Sequence, residues 1–282
     1  VVRDGAIGVF DSVLGGLTVV QALADLLPHE HLIYLGDTAR YPYGPRPASE
    51  LQEFSREIAG WLCAQGVKML VVACNSATAA ALPLLRAELP VPVVGVVEPG
   101  VRAALSATAT GRVAVIGTQM TVDSRVYETV ADELRTGLDL RTRACPAFVT
   151  LVEEGDTIGP HARETVRAGL RGVVTLDGPR GDDDVDTLVL GCTHFPLLGR
   201  TLSEVVGRRV TLVSSADETA FEVRDLVRRT GLASDGTIRG RRRFLTSGDP
   251  ARFAELGERF LGWPLGVVER WHPPTADGRA AR

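Results

Sequence analysis

The sequence predicts an α/β protein: two similar three-layer α/β domains with mainly parallel sheets and an active site in the cleft between them. Three observations carry this. Short, continuous apolar runs alternate with helix-period segments along the 282 residues, the pattern of parallel strands covered by helices on both faces. Two of those runs, Met69-Leu-Val-Val-Ala73 and Thr187-Leu-Val-Leu-Gly191, end alike, in Cys74-Asn75-Ser76 and Cys192-Thr193-His194. The first half also echoes in the second: a strand ending near Asp11 precedes Cys74, and a strand ending near Thr118 precedes Cys192. Two duplicated halves, each giving one cysteine to a shared cleft, account for the echo.

The elements follow in order, each an apolar run or helix-period segment bounded by turn residues. Strands are expected at 6–10, 32–35, 69–73, 93–96, 113–116, 138–142, 187–190, 210–213, 243–245 and 266–269. Helices are expected at 16–27, 48–65, 77–89, 100–106, 122–134, 160–175, 197–206, 217–229 and 250–260. The Gly- and Pro-rich stretch 36–47 reads as a loop, 178–186 as an acidic turn, and 272–282 as a frayed tail.

Composition narrows the function. With 45% hydrophobic and 23% charged residues the chain reads as globular, with a core of good size. A net charge of −4 and a pI near 5.8 argue against nucleic acid, and Arg239-Gly-Arg-Arg-Arg243 reads as a solvated turn. Cys63, Cys74, Cys145 and Cys192 lie far apart without a CxxC, as free thiols of a cytoplasmic protein do. Val1-Val-Arg-Asp-Gly5 has no apolar signal core, and no apolar run approaches the ~18 residues of a membrane span, so no membrane partner is expected. The single lysine, Lys68, precedes its strand, whereas ligands of open α/β sheets bind at the carboxyl ends. That argues against Schiff-base chemistry with pyridoxal phosphate.

A cysteine at the carboxyl end of a buried strand, opening a helix, sits where free backbone N–H groups and the helix dipole favour a thiolate. Cys74 and Cys192 both have this setting, with polar neighbours that a purely packed thiol does not call for. Cys63, in a helix before Gly66, and Cys145, before Pro146, show no polar strand-to-helix setting and read as structural. Asp11-Ser12 ends the first strand, as a helix cap or as a group facing the same cleft. Gly15-Gly16 fits neither dinucleotide nor Walker spacing. His194 suits an acid or a tuner of Cys192. A zinc site from Cys74, Cys192 and His194 is the competing reading, but further ligand-like spacing is missing, so no metal is expected. Asp37 holds a loop in which Gly44 offers an N–H to an anion. Thr118 and Thr121 open a helix, another anion-binding geometry. Glu153 is either a solvated helix carboxylate or a second acid near the cleft.

Taken together, several segments resemble the cofactor-independent Asp/Glu racemase superfamily, in particular its glutamate racemases. They are Ile7-Gly-Val-Phe-Asp-Ser12, Leu14-Gly-Gly-Leu-Thr-Val19, Tyr34-Leu-Gly-Asp-Thr-Ala-Arg40, Pro42-Tyr-Gly44, Ala73-Cys-Asn-Ser-Ala77, Val115-Ile-Gly-Thr118 with Thr121, Leu151-Val-Glu153, Leu190-Gly-Cys-Thr-His-Phe-Pro196 and Val213-Ser-Ser-Ala-Asp-Glu-Thr-Ala220. The resemblance implies racemisation without a cofactor. One cysteine, as thiolate, takes the α-proton and the other, as thiol, returns one on the opposite face. It implies Cys74 acting on D-glutamate and Cys192 on L-glutamate. Asp11, Glu153 and His194 match the catalytic auxiliaries. Asp11, Ser12, Pro42, Tyr43, Gly44, Asn75, Ser76, Thr118, Thr121 and Thr193 match substrate-binding positions. It further implies a discontinuous first domain, 1–98 plus 212–282, and a second at 99–211. Peptidoglycan synthesis is the implied destination of the product, and a homodimer is compatible with the family.

Ser76 stands where threonine is common, with the hydroxyl kept. Val13 stands where the family usually has glycine. A β-branched residue resists positive φ, so Val13 is expected to strain or remodel the turn after Asp11-Ser12. Three other readings remain: an aspartate or hydantoin racemase, a non-catalytic ligand-binding relative, and a metal-dependent hydrolase.

Overall fold

The apolar runs form two separate parallel sheets. A computed structural model describes residues 4–177 and 181–273; parts of the expected acidic turn and of the expected frayed tail lie outside the described residues. The chain runs β1 (Ile7–Asp11), α1 (Leu17–Leu26), β2 (Leu32–Gly36), α2 (Ala48–Ala64), β3 (Met69–Val72), α3 (Asn75–Glu88), β4 (Val93–Gly95) and α4 (Val97–Ala107). It continues through β5 (Arg112–Gly117), α5 (Gln119–Asp123), α6 (Val126–Glu133), β6 (Asp139–Ala144), α7 (Pro146–Glu154), α8 (Pro160–Leu170), β7 (Thr187–Gly191), α9 (Gly199–Val206) and β8 (Thr211–Val213). It closes with α10 (Ala216–Arg229), β9 (Arg242–Thr246), α11 (Pro250–Leu261) and β10 (Val268–Arg270).

The first sheet has the order β10-β9-β2-β1-β3-β4 and the second β6-β5-β7-β8. Every pairing is parallel. The order β2-β1-β3-β4 in one sheet repeats as β6-β5-β7-β8 in the other, so β1 corresponds to β5 and β3 to β7. The carboxyl ends of those four strands carry Asp11, Thr118, Cys74 and Cys192 at or just beyond their last residues.

The inner strands β1, β2, β3, β5 and β7 are buried on both faces, which is why they read as continuous apolar runs, whereas the edge strands β6 and β10 are partly exposed. In β1, Ile7 and Val9 face a cluster with Leu17, Val20 and Leu23 of α1 and Val223 of α10. Phe10 faces the opposite cluster, with Leu51, Ile58 and Leu62 of α2. In β5, Ala114 and Ile116 face Phe148, Val166 and Leu202, while Val113 and Val115 face Val101 and Tyr127. Full burial of each large apolar side chain contributes about 1.5–3 kcal/mol, so these four layers fix the strand ends that carry the site.

Several sequence expectations are corrected. The helix expected over 122–134 is two, α5 and α6, broken where Arg125 adopts a left-handed φ of 52°. The chain forms α7, which the periodicity did not disclose. Cys145 does lie between a strand and a helix: it follows β6 and caps α7. Its sulfur is 3.7 Å from the Gly169 carbonyl, within the apolar layer. The supposed solvated arginine turn feeds β9 instead. Arg243 pairs with Glu269 at 2.6 Å, and the Arg242 guanidinium lies over the Trp263 ring at 4.9 Å. Lys68 forms a buried ion pair with Glu30.

Candidate active site

Between the two sheets lies a cavity of about 220 Å³. Both cysteines line it: Cys74 from the turn after β3 and Cys192 from the turn after β7. Ser12, Pro42, Tyr43, Gly44, Asn75, Ser76, Thr118, Thr193 and His194 line it as well. Of the sequence-expected residues, Asp11, Thr121 and Glu153 are not on its wall. Each reaches it through one intermediary.

Asp11 is fully buried and accepts hydrogen bonds from the Gly16 N–H at 2.9 Å and the Thr193 hydroxyl at 3.3 Å. Thr193 belongs to the other half, so this contact closes the cleft at its base. The glycines before α1 are what permit it. A Cβ on Gly15 would lie 2.5 Å from Thr193 Oγ1 and 2.6 Å from the Thr193 carbonyl carbon. A second bridge joins Ser76 and Thr118, whose hydroxyls share a hydrogen bond at 2.8 Å. Thr121 reaches the cavity through Thr118, at 3.1 Å between hydroxyls. A third bridge runs from the Met120 N–H to the Gly44 carbonyl at 3.1 Å.

Behind Cys192 stands a relay. Its Sγ lies 3.6 Å from His194 Nδ1, and His194 Nε2 lies 2.7 Å from Glu153 Oε1. Burial alone would pull His194 down. Hydrogen bonds to Cys192 and Glu153, with the charges of Cys192 and Asp11, outweigh burial and raise it to about 10. An imidazolium donates from both nitrogens, one N–H toward sulfur and one toward the carboxylate. Cys74 differs. Burial first, then the Asp11 and Cys192 charges, push its thiol up to about 12, although the Ala77 N–H and the Ser12 hydroxyl pull it down. The helix N-terminus thus acts as expected, but burial outweighs it.

The loop after β2 is set by Asp37, also fully buried. Asp37 accepts from the Tyr43 hydroxyl at 2.5 Å, Arg40 Nε at 2.7 Å and the Ser247 hydroxyl at 2.7 Å. The Arg40 guanidinium stacks on Phe54 at 4.1 Å. This anchoring presents Pro42, Tyr43 and Gly44 to the cavity.

Val13 does not strain its turn. The positive-φ non-glycine residues among the described residues are Arg125 and Arg135, so Val13 keeps an ordinary negative φ. Its side chain is buried in the core, its carbonyl accepts from the Tyr34 hydroxyl at 3.0 Å, and Ser12 still lines the cavity.

Sequence reasoning missed Tyr41, Gln119, Val149 and Thr150, which line the cavity too. Tyr41 directly precedes Pro42-Tyr43-Gly44, and its ring lies 6.3 Å from that of His194. Val149 and Thr150 sit on α7, the helix that was not expected.

Two α/β halves of matching strand order, each bringing a thiol to one cavity, fit the class of an amino-acid racemase. The chain belongs to the Asp/Glu/Hydantoin racemase family, whose sequence profile matches residues 16–222. A glutamate racemase of Beutenbergia cavernae is 52% identical over 271 residues, covering 92% of this chain and 90% of that protein. The crystal structure of glutamate racemase isoform RacE1 from Bacillus anthracis superposes with a TM-score of 0.89 at 40% identity, covering 96% of this chain and 98% of that one. Glutamate racemase from Francisella tularensis, solved in complex with D-glutamate, gives 0.86 at 28% identity, covering 95% and 98%. No helix among the described residues is long and apolar enough to cross a membrane.

Proposed function

We propose that this chain interconverts L- and D-glutamate by proton transfer at Cα between Cys74 and Cys192, supplying D-glutamate for peptidoglycan. The single observation that carries the mechanism is the pair of thiols on corresponding strand ends, both on the wall of one cavity. The substrate follows from the glutamate racemases that the chain resembles over most of its length.

In the L to D direction the Cys192 thiolate takes the α-proton. An S–H bond forms, the Cα–H bond breaks, and the electron pair stays on Cα and spreads into the carboxylate. The Cys74 thiol then donates its proton to the opposite face and becomes the thiolate. The D to L direction is the reverse. His194, held by Glu153, donates to Cys192 and steadies its charge. Cys74, pushed up to about 12, rests as the thiol. Asp11 acts through Thr193 without lining the cavity, and Ser76, Thr118 and Thr193 offer hydroxyls to substrate. We further assign the two sheets to two domains whose separation would admit substrate; the expected limits at 98/99 and 211/212 fall inside α4 and β8, and because β8 pairs with β7 the second domain extends to Val213.

The test is circular dichroism of L- and D-glutamate with the purified protein in D₂O, with no cofactor added. The expected result is decay of either signal to zero with deuterium at Cα of the product. Saturable binding of glutamate without decay or deuterium uptake would leave a ligand-binding relative in place of an enzyme.

A further inference from the structure

Tyr127, on α6, sits between the two cysteine-bearing turns and is 1% exposed. On one side its ring packs on the backbone before Cys192: a Cβ on Gly191 would come 3.2 Å from Tyr127 Cε2. On the other its hydroxyl crosses to the first half and donates to Asn75 Oδ1 at 2.9 Å, directly after Cys74. A Cβ on Gly100 would lie 3.4 Å from the hydroxyl oxygen, so the ring stands in a slot cut by two glycines. Burial, and then the Cys192 charge, raise the phenol, which keeps it a donor.

Asn75 is 2% exposed and lines the cavity, yet its Nδ2 is buried with no partner in the protein. With its oxygen committed to Tyr127, this amide keeps its N–H groups as uncommitted donors on a residue of the cavity wall. Those N–H groups suit a carboxylate oxygen, whereas the amide oxygen would repel one. We propose that Tyr127 is a positioning residue for substrate: by holding Asn75 Oδ1 it fixes the Asn75 amide with its N–H donors facing a substrate carboxylate. This role rests on the glutamate reading above. It also ties substrate recognition to closure, because the hydroxyl and the amide come from opposite halves.

The test is a double-mutant cycle on D-glutamate binding by calorimetry, with wild type, Tyr127→Phe, Asn75→Ala and the double variant. Tyr127→Phe keeps the ring and removes one hydroxyl. It should weaken binding about 5- to 10-fold when Asn75 is present and by less than about 2-fold in the Asn75→Ala background. Unchanged binding in Tyr127→Phe, or an equal loss in both backgrounds, overturns the proposal; the latter is what lost packing alone would give. Asn75→Asp probes the donor orientation without touching Tyr127. It presents only oxygens to the cavity and should bind more weakly than Asn75→Ala; binding as tight as wild type overturns the orientation. Racemisation by wild type is measured alongside. Its absence overturns the activity and this role together, whereas wild-type racemisation with an uncoupled Tyr127 overturns this role alone.

Discussion

Replacing Glu153 by Gln should move the alkaline limit of activity down while sparing activity near neutral pH. Glu153 Oε1 lies 2.7 Å from His194 Nε2, with the histidine side chain 3% exposed and the glutamate 23% exposed. Glutamine keeps the size and an oxygen acceptor but removes the charge. A hydrogen bond to a charged group contributes about 1.5–3 kcal/mol and a neutral one about 0.5–1.5, so the substitution loses on the order of 1–1.5 kcal/mol. At 1.36 kcal/mol per pKa unit that lowers His194 by about one unit. The sign follows from the histidine's charge. His194, raised to about 10, is cationic below that pH and supports Cys192 there; the support is lost as pH rises through about 10. In the variant the loss begins about one unit lower, and at pH 7 the imidazolium persists, so kcat/KM there falls by less than about tenfold. The assay is kcat/KM for L-glutamate from about pH 7 to 11, read by circular dichroism. An alkaline limb that stays in place or moves upward refutes the role given to the His194–Glu153 pair.

Three further outcomes follow from the geometry. Gly15→Ala puts a methyl within 2.5–2.7 Å of Thr193, including its backbone, and displaces the Cys192 turn; a shift of about 1 Å costs on the order of 100-fold in kcat/KM, and near-wild-type kinetics would contradict this. Val13→Gly removes a buried side chain and should lower stability by about 2–3 kcal/mol in denaturant titration without raising kcat/KM; a rise would restore the view that valine strains the turn. Activity should survive EDTA and hydroxylamine but not thiol alkylation, and a loss on chelation that zinc restores would favour the metalloenzyme reading.

Strand positions and the strand-end placement of both cysteines were legible because buried parallel strands leave continuous apolar runs and because polar residues beside a strand-end thiol have no packing purpose. Asp37 as a loop holder was legible for a similar reason: a carboxylate amid Gly and Pro needs partners, and Arg40, Tyr43 and Ser247 supply them. Tyr127 and Tyr41 were not legible, since helical periodicity says that a face is buried but not which neighbour it meets. The helix α7 was not legible either, nor were Val149 and Thr150 on it. Cys145, read as structural, does pack in the apolar layer, but its place between β6 and α7 was not legible without that helix. Val13 misled because the expectation of strain came from a family preference, whereas the turn closes with a negative φ and a Tyr34 hydrogen bond.

The central claim is that two thiols act from opposite faces of one carbon, and single-cysteine variants test it most directly. Racemisation of L- and of D-glutamate is followed by circular dichroism for Cys74→Ala and Cys192→Ala, with far-UV spectra and Tm confirming that each is folded. Each direction needs one sulfur to remove a proton and the other to return one, so both variants should be inactive in both directions while melting close to wild type. Wild-type racemisation in either variant would contradict the two-thiol account.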